Sequence, residues 1–304
     1  MPTYYDTVCV DPDCAEWLQE LGLSTVGGLL ECLGDQVVAW SRSSDTIRVQ
    51  AGRQTRWVYV KRYHYSTRAR QMRGLLRGVF LGASRARREY VTLQAMRSAG
   101  VPAVRPIAYG ERWHLLLLHS CALVTEGIPN GQSLMRLLRG ALADVGVAEV
   151  TRARRRLTRA LAEQIRAMHQ MGYAHGALFW RNVVVRPLDD GSYACHFLDP
   201  SGRGRMGRRG PGGRKAVCDI AALAAMAPGL LTRTECLRFA KWYLATDRLD
   251  AATRRWITRV LKMSARYRDH ELYRWRLEAQ RDGRQESTPP AVCKAKVAAG
   301  WFVQ

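Results

Sequence analysis

The spacing of apolar positions changes along the chain, and the change predicts two unlike halves. Residues 14–33 carry apolar side chains at helical spacing and predict one or two short helices. Residues 36–40, 46–50 and 56–63 are rich in Val, Ile, Trp and Tyr and predict strands, with Ala51-Gly52-Arg53-Gln54 turning between the last two. A helix is predicted over 84–98, closed by Gly100 and Pro102. Residues 107–109 and 113–118 read as a hairpin and 122–125 as another strand. From Ser133 the helical period dominates, interrupted by a strand pair at 183–186 and 193–198 around the turn Asp189-Asp190-Gly191-Ser192. Strands with one helix, then mainly helices, is the layout of an α+β chain with two lobes. The expected organisation is a helical extension over 1–35, a first lobe over 36–122, a second over 123–285, and a loosely packed tail over 286–304.

Composition narrows the setting. At 47% hydrophobic residues the chain can bury a substantial core. It has no run of the ~18 apolar residues that span a bilayer. Its opening MPTYYDTVCVDPDC lacks a basic-then-apolar pattern, so a cytoplasmic protein is expected, able to lie on the inner face of the cytoplasmic membrane. Eight cysteines are scattered without a CxxC pair, which argues for reduced, mostly buried thiols and against zinc or a disulfide framework.

Charge is the loudest signal: 48 Lys and Arg against 26 acids, a net of +22. Such a chain is drawn to phosphate-rich partners. Arginine groups occur at 68–77 (RARQMRGLLR), 152–159 (RARRRLTR) and 203–215 (RGRMGRRGPGGRK). Each reads either as a solvated basic surface or as a docking surface. The first, interleaved with Met72, Leu75, Leu76, Val79, Phe80 and Leu81, also suits an amphipathic helix on anionic lipid. No aromatic residues recur among these groups to stack bases, so nucleic acid is not expected as a partner.

Three segments carry chemistry. Lys61 ends the strand Val58-Tyr59-Val60-Lys61, and Glu89 is the only carboxylate between Asp45 and Glu111. A strand lysine held by a helix glutamate is the kinase arrangement for the ATP phosphates. His175-Gly176-Ala177-Leu178-Phe179-Trp180-Arg181-Asn182 precedes a strand as a kinase catalytic loop does, and Asp199 ends the next strand. Asn182 and Asp199 offer the hard oxygen donors that Mg²⁺ takes beside phosphates. His175 reads as a backbone anchor of the loop.

Residues 175–185, 197–202, 85–112 and the Lys61 strand resemble the bacterial lipopolysaccharide core kinases of the Kdo/WaaP type, over about residues 36 to 250. The resemblance implies a protein-kinase-like fold, ATP with Mg²⁺, and phosphorylation of a sugar hydroxyl on an acidic glycolipid, the lipopolysaccharide core acceptor, at an anionic membrane surface. It gives Lys61 to phosphate, Glu89 to Lys61, Asn182 and Asp199 to metal, and Thr125 and Glu126 to the surroundings of the adenine. Asp219 would brace the catalytic loop; a plain helix N-cap is the other reading.

Two positions depart from the pattern. No GxGxxG precedes Lys61, and Ser41-Arg42-Ser43-Ser44 is a poor substitute. The catalytic-base aspartate is replaced by Ala177, which cannot accept a proton. Either the chain is a pseudokinase that binds nucleotide or acts as a scaffold, or an active parent was altered at this position. A nucleic-acid-binding protein built on the same fold is the third reading.

Overall fold

The computed structural model describes residues 4–40, 44–51, 56–65, 83–114, 117–144, 146–201 and 210–281. The chain forms two compact units, Met1–Gly131 and Gln132–Gln304, dividing later than the expected boundary at 122.

In the first unit β1 (Tyr4–Val10), β2 (Gln36–Trp40), β3 (Ser44–Ala51), β4 (Arg56–His64), β5 (Pro106–His114) and β6 (Leu117–Glu126) form an antiparallel sheet in the order β1-β5-β6-β4-β3-β2. Helices α1 (Ala15–Glu20) and α2 (Val26–Glu31) fall inside the predicted extension. That extension is not purely helical. Tyr4–Val10 pairs with β5 from Tyr4↔His114 to Val10↔Ala108, and Arg112 anchors it through Asp6 at 3.0 and 2.8 Å. The strand-prone run Thr7-Val8-Cys9-Val10 explains it.

The predicted hairpin over 107–118 is also corrected. Residues 107–113 lie in one strand, β5, and Leu117 already belongs to β6. Gly110, which falls between the two strands of that expected hairpin, sits in mid-strand to admit α2. A Cβ there would meet Leu29 Cδ1 at 3.0 Å and Val26 Cγ2 at 3.3 Å.

Strand alternation then sorts the side chains of β4. Val58 and Val60 point into a core with Leu18, Leu29, Ile107, Ala122 and Val124, each large apolar side chain adding about 1.5–3 kcal/mol on burial. Arg62 closes the end of α2 on Leu30 O and Cys32 O at 2.8 and 3.1 Å and pairs with Asp45. Lys61 and Tyr63, of opposite parity, meet α3 (Arg85–Ser98) instead. The start of α3 is fixed by Ser84, whose Oγ accepts from Arg87 N at 3.0 Å while its own N–H donates to buried Glu111 at 3.1 Å.

The second unit holds α4 (Leu134–Arg139), α5 (Ala148–Gln170), α6 (Arg214–Ala224), α7 (Arg233–Leu244) and α8 (Ala251–Arg281). A small antiparallel sheet runs β7 (Gln132–Ser133), β8 (Val183–Pro187), β9 (Tyr193–Phe197). Within the 152–159 arginine group, Arg154 departs from the surface reading. It shares the buried face of α5 with Leu157 and Leu161, and donates to Glu235 at 2.6 and 3.1 Å and to Leu142 O and Leu230 O at 2.7 Å each. All three of its nitrogens donate, through four of the five N–H groups, which satisfies most of what a buried guanidinium requires. The 68–77 group, residues 41–43, the stretch 202–209 and the tail from 286 lie outside the described residues.

Candidate functional site

The candidate residues form one cluster in each unit. In the first, Lys61 Nζ donates to both oxygens of Glu89 at 3.2 Å, and Tyr63 OH donates to Glu89 Oε2 at 2.8 Å. Glu89 is buried, at 5% exposure, so its charge is held by these donors rather than by water. Lys61 keeps 19% of its side chain exposed. Tyr63 was not singled out in the sequence, though its i+2 spacing from Lys61 puts it on the same face. Thr125 and Glu126 are the last residues of β6, opposite Tyr59 and Val58, while Lys61 faces Leu123. They are thus offset along the strand from the Lys61–Glu89 pair.

In the second unit His175, Ala177 and Asn182 share one loop, and Asp199 is stitched to it on both sides. Leu198 N donates to Asn182 O at 3.1 Å and Ser201 N to His175 O at 2.9 Å. A glycine at 176 is required twice over: its φ is +75°, and a Cβ would lie 1.9 Å from Ser201 Oγ. Asp199 itself has φ +57°, a left-handed conformation that costs a non-glycine residue about 1–3 kcal/mol. Asn182 is buried and spends its Nδ2 on Ala177 O at 2.9 Å, which leaves Oδ1 as its atom for a cation.

His175 holds the loop rather than moving protons. Its Nε2 donates to Leu198 O at 2.9 Å, and its Nδ1 accepts from Ala177 N at 3.3 Å, a tautomer assigned from these bonds. Burial pushes the imidazole below the usual histidine range, against the pull of Asp219 and Asp199. A neutral ring with both nitrogens engaged has none left to take up a proton beside Ala177.

Asp219 resolves between its two readings. It lies inside α6, not at its start, and is 1% exposed. Its carboxylate accepts from His175 N at 2.6 Å, Gly176 N at 2.7 Å and His169 Nε2 at 3.2 Å. Tyr243 OH stands 2.6 Å from His169 Nδ1, completing a buried chain of polar groups behind the loop. Burial raises the Tyr243 phenol, keeping it a neutral donor.

The other end of the loop is held as well. Trp180 Nε1 donates to Leu223 O at 2.6 Å, Arg181 pairs with buried Glu271 of α8, and Phe179 meets Tyr267 edge-on at 5.8 Å. Sequence reading missed His169, Tyr243, Arg181 and Glu271 as parts of this frame. Only Arg181, lying between Trp180 and Asn182 in the loop motif, carried a local signal.

The lipopolysaccharide kinase (Kdo/WaaP) family model matches residues 35–243. No curated protein matches the chain in sequence. Among solved structures, WaaP in complex with acyl carrier protein is similar at 20% identity and TM-score 0.57, covering 84% of this chain and 99% of that one. The PknI kinase domain of Mycobacterium tuberculosis is similar at 16% identity and TM-score 0.37, covering 71% and 74%. Rad53 in complex with AMP-PNP follows at 18% and 0.40, covering 76% and 51%. At TM-scores below 0.5 these two add nothing to the assignment. The first shares the fold, the family model spans well over half of the residues, and the chain belongs to the lipopolysaccharide kinase (Kdo/WaaP) family, with a protein-kinase-like fold.

Proposed function

We propose that the chain binds ATP with Mg²⁺ and serves phosphoryl transfer to a sugar hydroxyl of an acidic glycolipid of the lipopolysaccharide core. The observation that carries this reading is the Lys61–Glu89 pair: a buried glutamate holds a partly exposed strand lysine where a kinase holds its phosphate-binding lysine. In this role Lys61 grips phosphate oxygens and Glu89 keeps the ammonium in place. Asn182 Oδ1 and the Asp199 carboxylate would hold Mg²⁺, a donor set of two hard oxygens that fits a cation keeping water and phosphate as its other ligands. When bound, that cation supplies charge neutralisation. Thr125 and Glu126 would lie near the adenine, the least constrained of these assignments.

Position 177 favours a second reading. With Ala177 and a committed His175, the loop has no group to accept the acceptor's proton, as in a pseudokinase that binds nucleotide without efficient turnover. The two readings share the nucleotide site. Lys61→Ala is expected to weaken Mg·ATP binding at all metal concentrations, by about tenfold or more for a lost charge-assisted contact. Asp199→Asn is expected to weaken mainly the Mg²⁺-dependent part. Titration calorimetry separates the two, and unchanged binding in both variants would remove these residues from the site.

The proposed membrane partner follows from the net charge of +22. The protein is expected to bind vesicles of anionic lipid or lipopolysaccharide and to release as salt shortens the screening length to ~8 Å and below. Replacing Arg70, Arg73 and Arg77 together with Gln should lower that binding. Equal sedimentation with neutral and anionic vesicles would contradict it. No helix among the described residues is long and apolar enough to cross a membrane.

A further inference from the structure

A cavity of about 190 Å³ is lined by α5 and the start and face of α7. Its lining repeats one arrangement on two helices. Thr151, Arg155 and Thr158 follow the i, i+4, i+7 spacing on α5, and Thr234, Arg238 and Trp242 the i, i+4, i+8 spacing on α7. Each helix thus sets a threonine one turn before an arginine on a single face, and both faces border the same space. Glu235 also lines the cavity, but its carboxylate is taken by Arg154 and by the backbone and hydroxyl of Thr232 at 2.7 and 2.9 Å. Burial opposes that ionisation, yet the bonds keep the carboxyl below its usual range.

Arg155 and Arg238 have no carboxylate partner among the described residues, whereas Arg159 of the same arginine group pairs with Glu163. Around the cavity, three guanidinium groups (Arg154, Arg155, Arg238) meet one carboxylate (Glu235), leaving two positive charges uncompensated. The fixed Arg154–Glu235 pair makes this wall rigid before any ligand arrives. Two guanidinium forks suit a phosphate dianion, whose geometry they match bidentately. The Thr234 hydroxyl can both donate and accept, as sugar hydroxyls require, the Thr158 hydroxyl, which donates to Arg154 O at 2.7 Å, can still accept, and Trp242 offers an apolar ring surface. The space is smaller than the ~300–1,000 Å³ that encloses a drug-sized ligand, so it would take a phosphate and part of one sugar ring and leave the rest of a ligand outside.

We propose that this cavity binds a phosphomonoester carried on a sugar ring. The site shares no residue with the Lys61 and Asn182 clusters and goes beyond the phosphotransfer reading. The ligand could be a free sugar phosphate or the phosphorylated headgroup of a glycolipid.

The test is calorimetric titration with glucose 6-phosphate, glucose and inorganic phosphate, alongside phosphatidylcholine vesicles with and without monophosphoryl lipid A. Glucose 6-phosphate is expected to bind saturably and glucose not to bind. Arg155→Gln and Arg238→Gln should each weaken that binding roughly tenfold or more, without lowering thermal stability, since neither arginine is buried. Trp242→Leu should weaken glucose 6-phosphate while sparing inorganic phosphate. Asp199→Asn should change nothing, which separates this site from the candidate metal site. Arg155-dependent binding to the lipid A vesicles identifies a glycolipid headgroup, and Arg155-dependent binding of the soluble probe alone identifies a free sugar phosphate. Absence of binding by both, binding that survives the Arg155→Gln/Arg238→Gln double variant, or binding lost in Asp199→Asn would overturn the proposal.

Discussion

Ala177→Asp is expected to raise phosphoryl transfer from ATP to a lipopolysaccharide-core acceptor by up to the ~10²–10⁴-fold that a general base supplies. The loop is already built for it. Ala177 is partly exposed, so a carboxylate there can reach water. Its N–H is fixed by His175 Nδ1 and its carbonyl by Asn182 Nδ2, so the new side chain starts from a defined backbone. The base contacts the acceptor and not the nucleotide, so ATP affinity should stay near that of the unaltered chain. Radiolabel transfer to purified core acceptor, compared at matched folding, measures the change. A negligible rate in the variant with ATP still bound would favour the pseudokinase reading.

Asp219→Ala should have the largest effect on stability. It removes the acceptor of two buried donors, His175 N and His169 Nε2, and of the part-buried Gly176 N. A buried donor left unsatisfied costs about 1–3 kcal/mol, so the two buried donors predict a loss of roughly 2–6 kcal/mol. Asp219→Asn keeps one acceptor oxygen and should fall between. Urea unfolding gives the loss, and hydrogen exchange across residues 175–182 should quicken in the same order. A loss within the ~0.5 kcal/mol of an ordinary surface change would contradict the bracing role.

The candidate site residues were legible because their signals are local. Lys61 ends an apolar strand, Glu89 is the single acid of a long basic stretch, and the loop motif spans only 175 to 182. What supports them was not legible. Asp219 bonds backbone more than 40 residues away, and Glu271 lies 90 residues beyond Arg181, so nothing in their neighbourhoods announces the contact. Gly110 falls between the strands of the expected hairpin, but the structure uses its missing side chain to admit α2. Arg154 reads as one more surface charge, since five arginines in eight residues hide the one whose helical phase points inward. Tyr4–Val10 carries the weaker signal, because the helical period that begins at Cys14 dominates the start of the chain.

The most direct test is titration of Mg·ATP into the unaltered protein, followed by thermal unfolding with and without Mg²⁺. Saturable binding that raises the unfolding temperature, more with the metal than without it, is predicted from the Lys61–Glu89 pair and the Asn182 and Asp199 donors. No stabilisation at millimolar Mg·ATP would contradict the nucleotide site and leave the family fold serving as a scaffold.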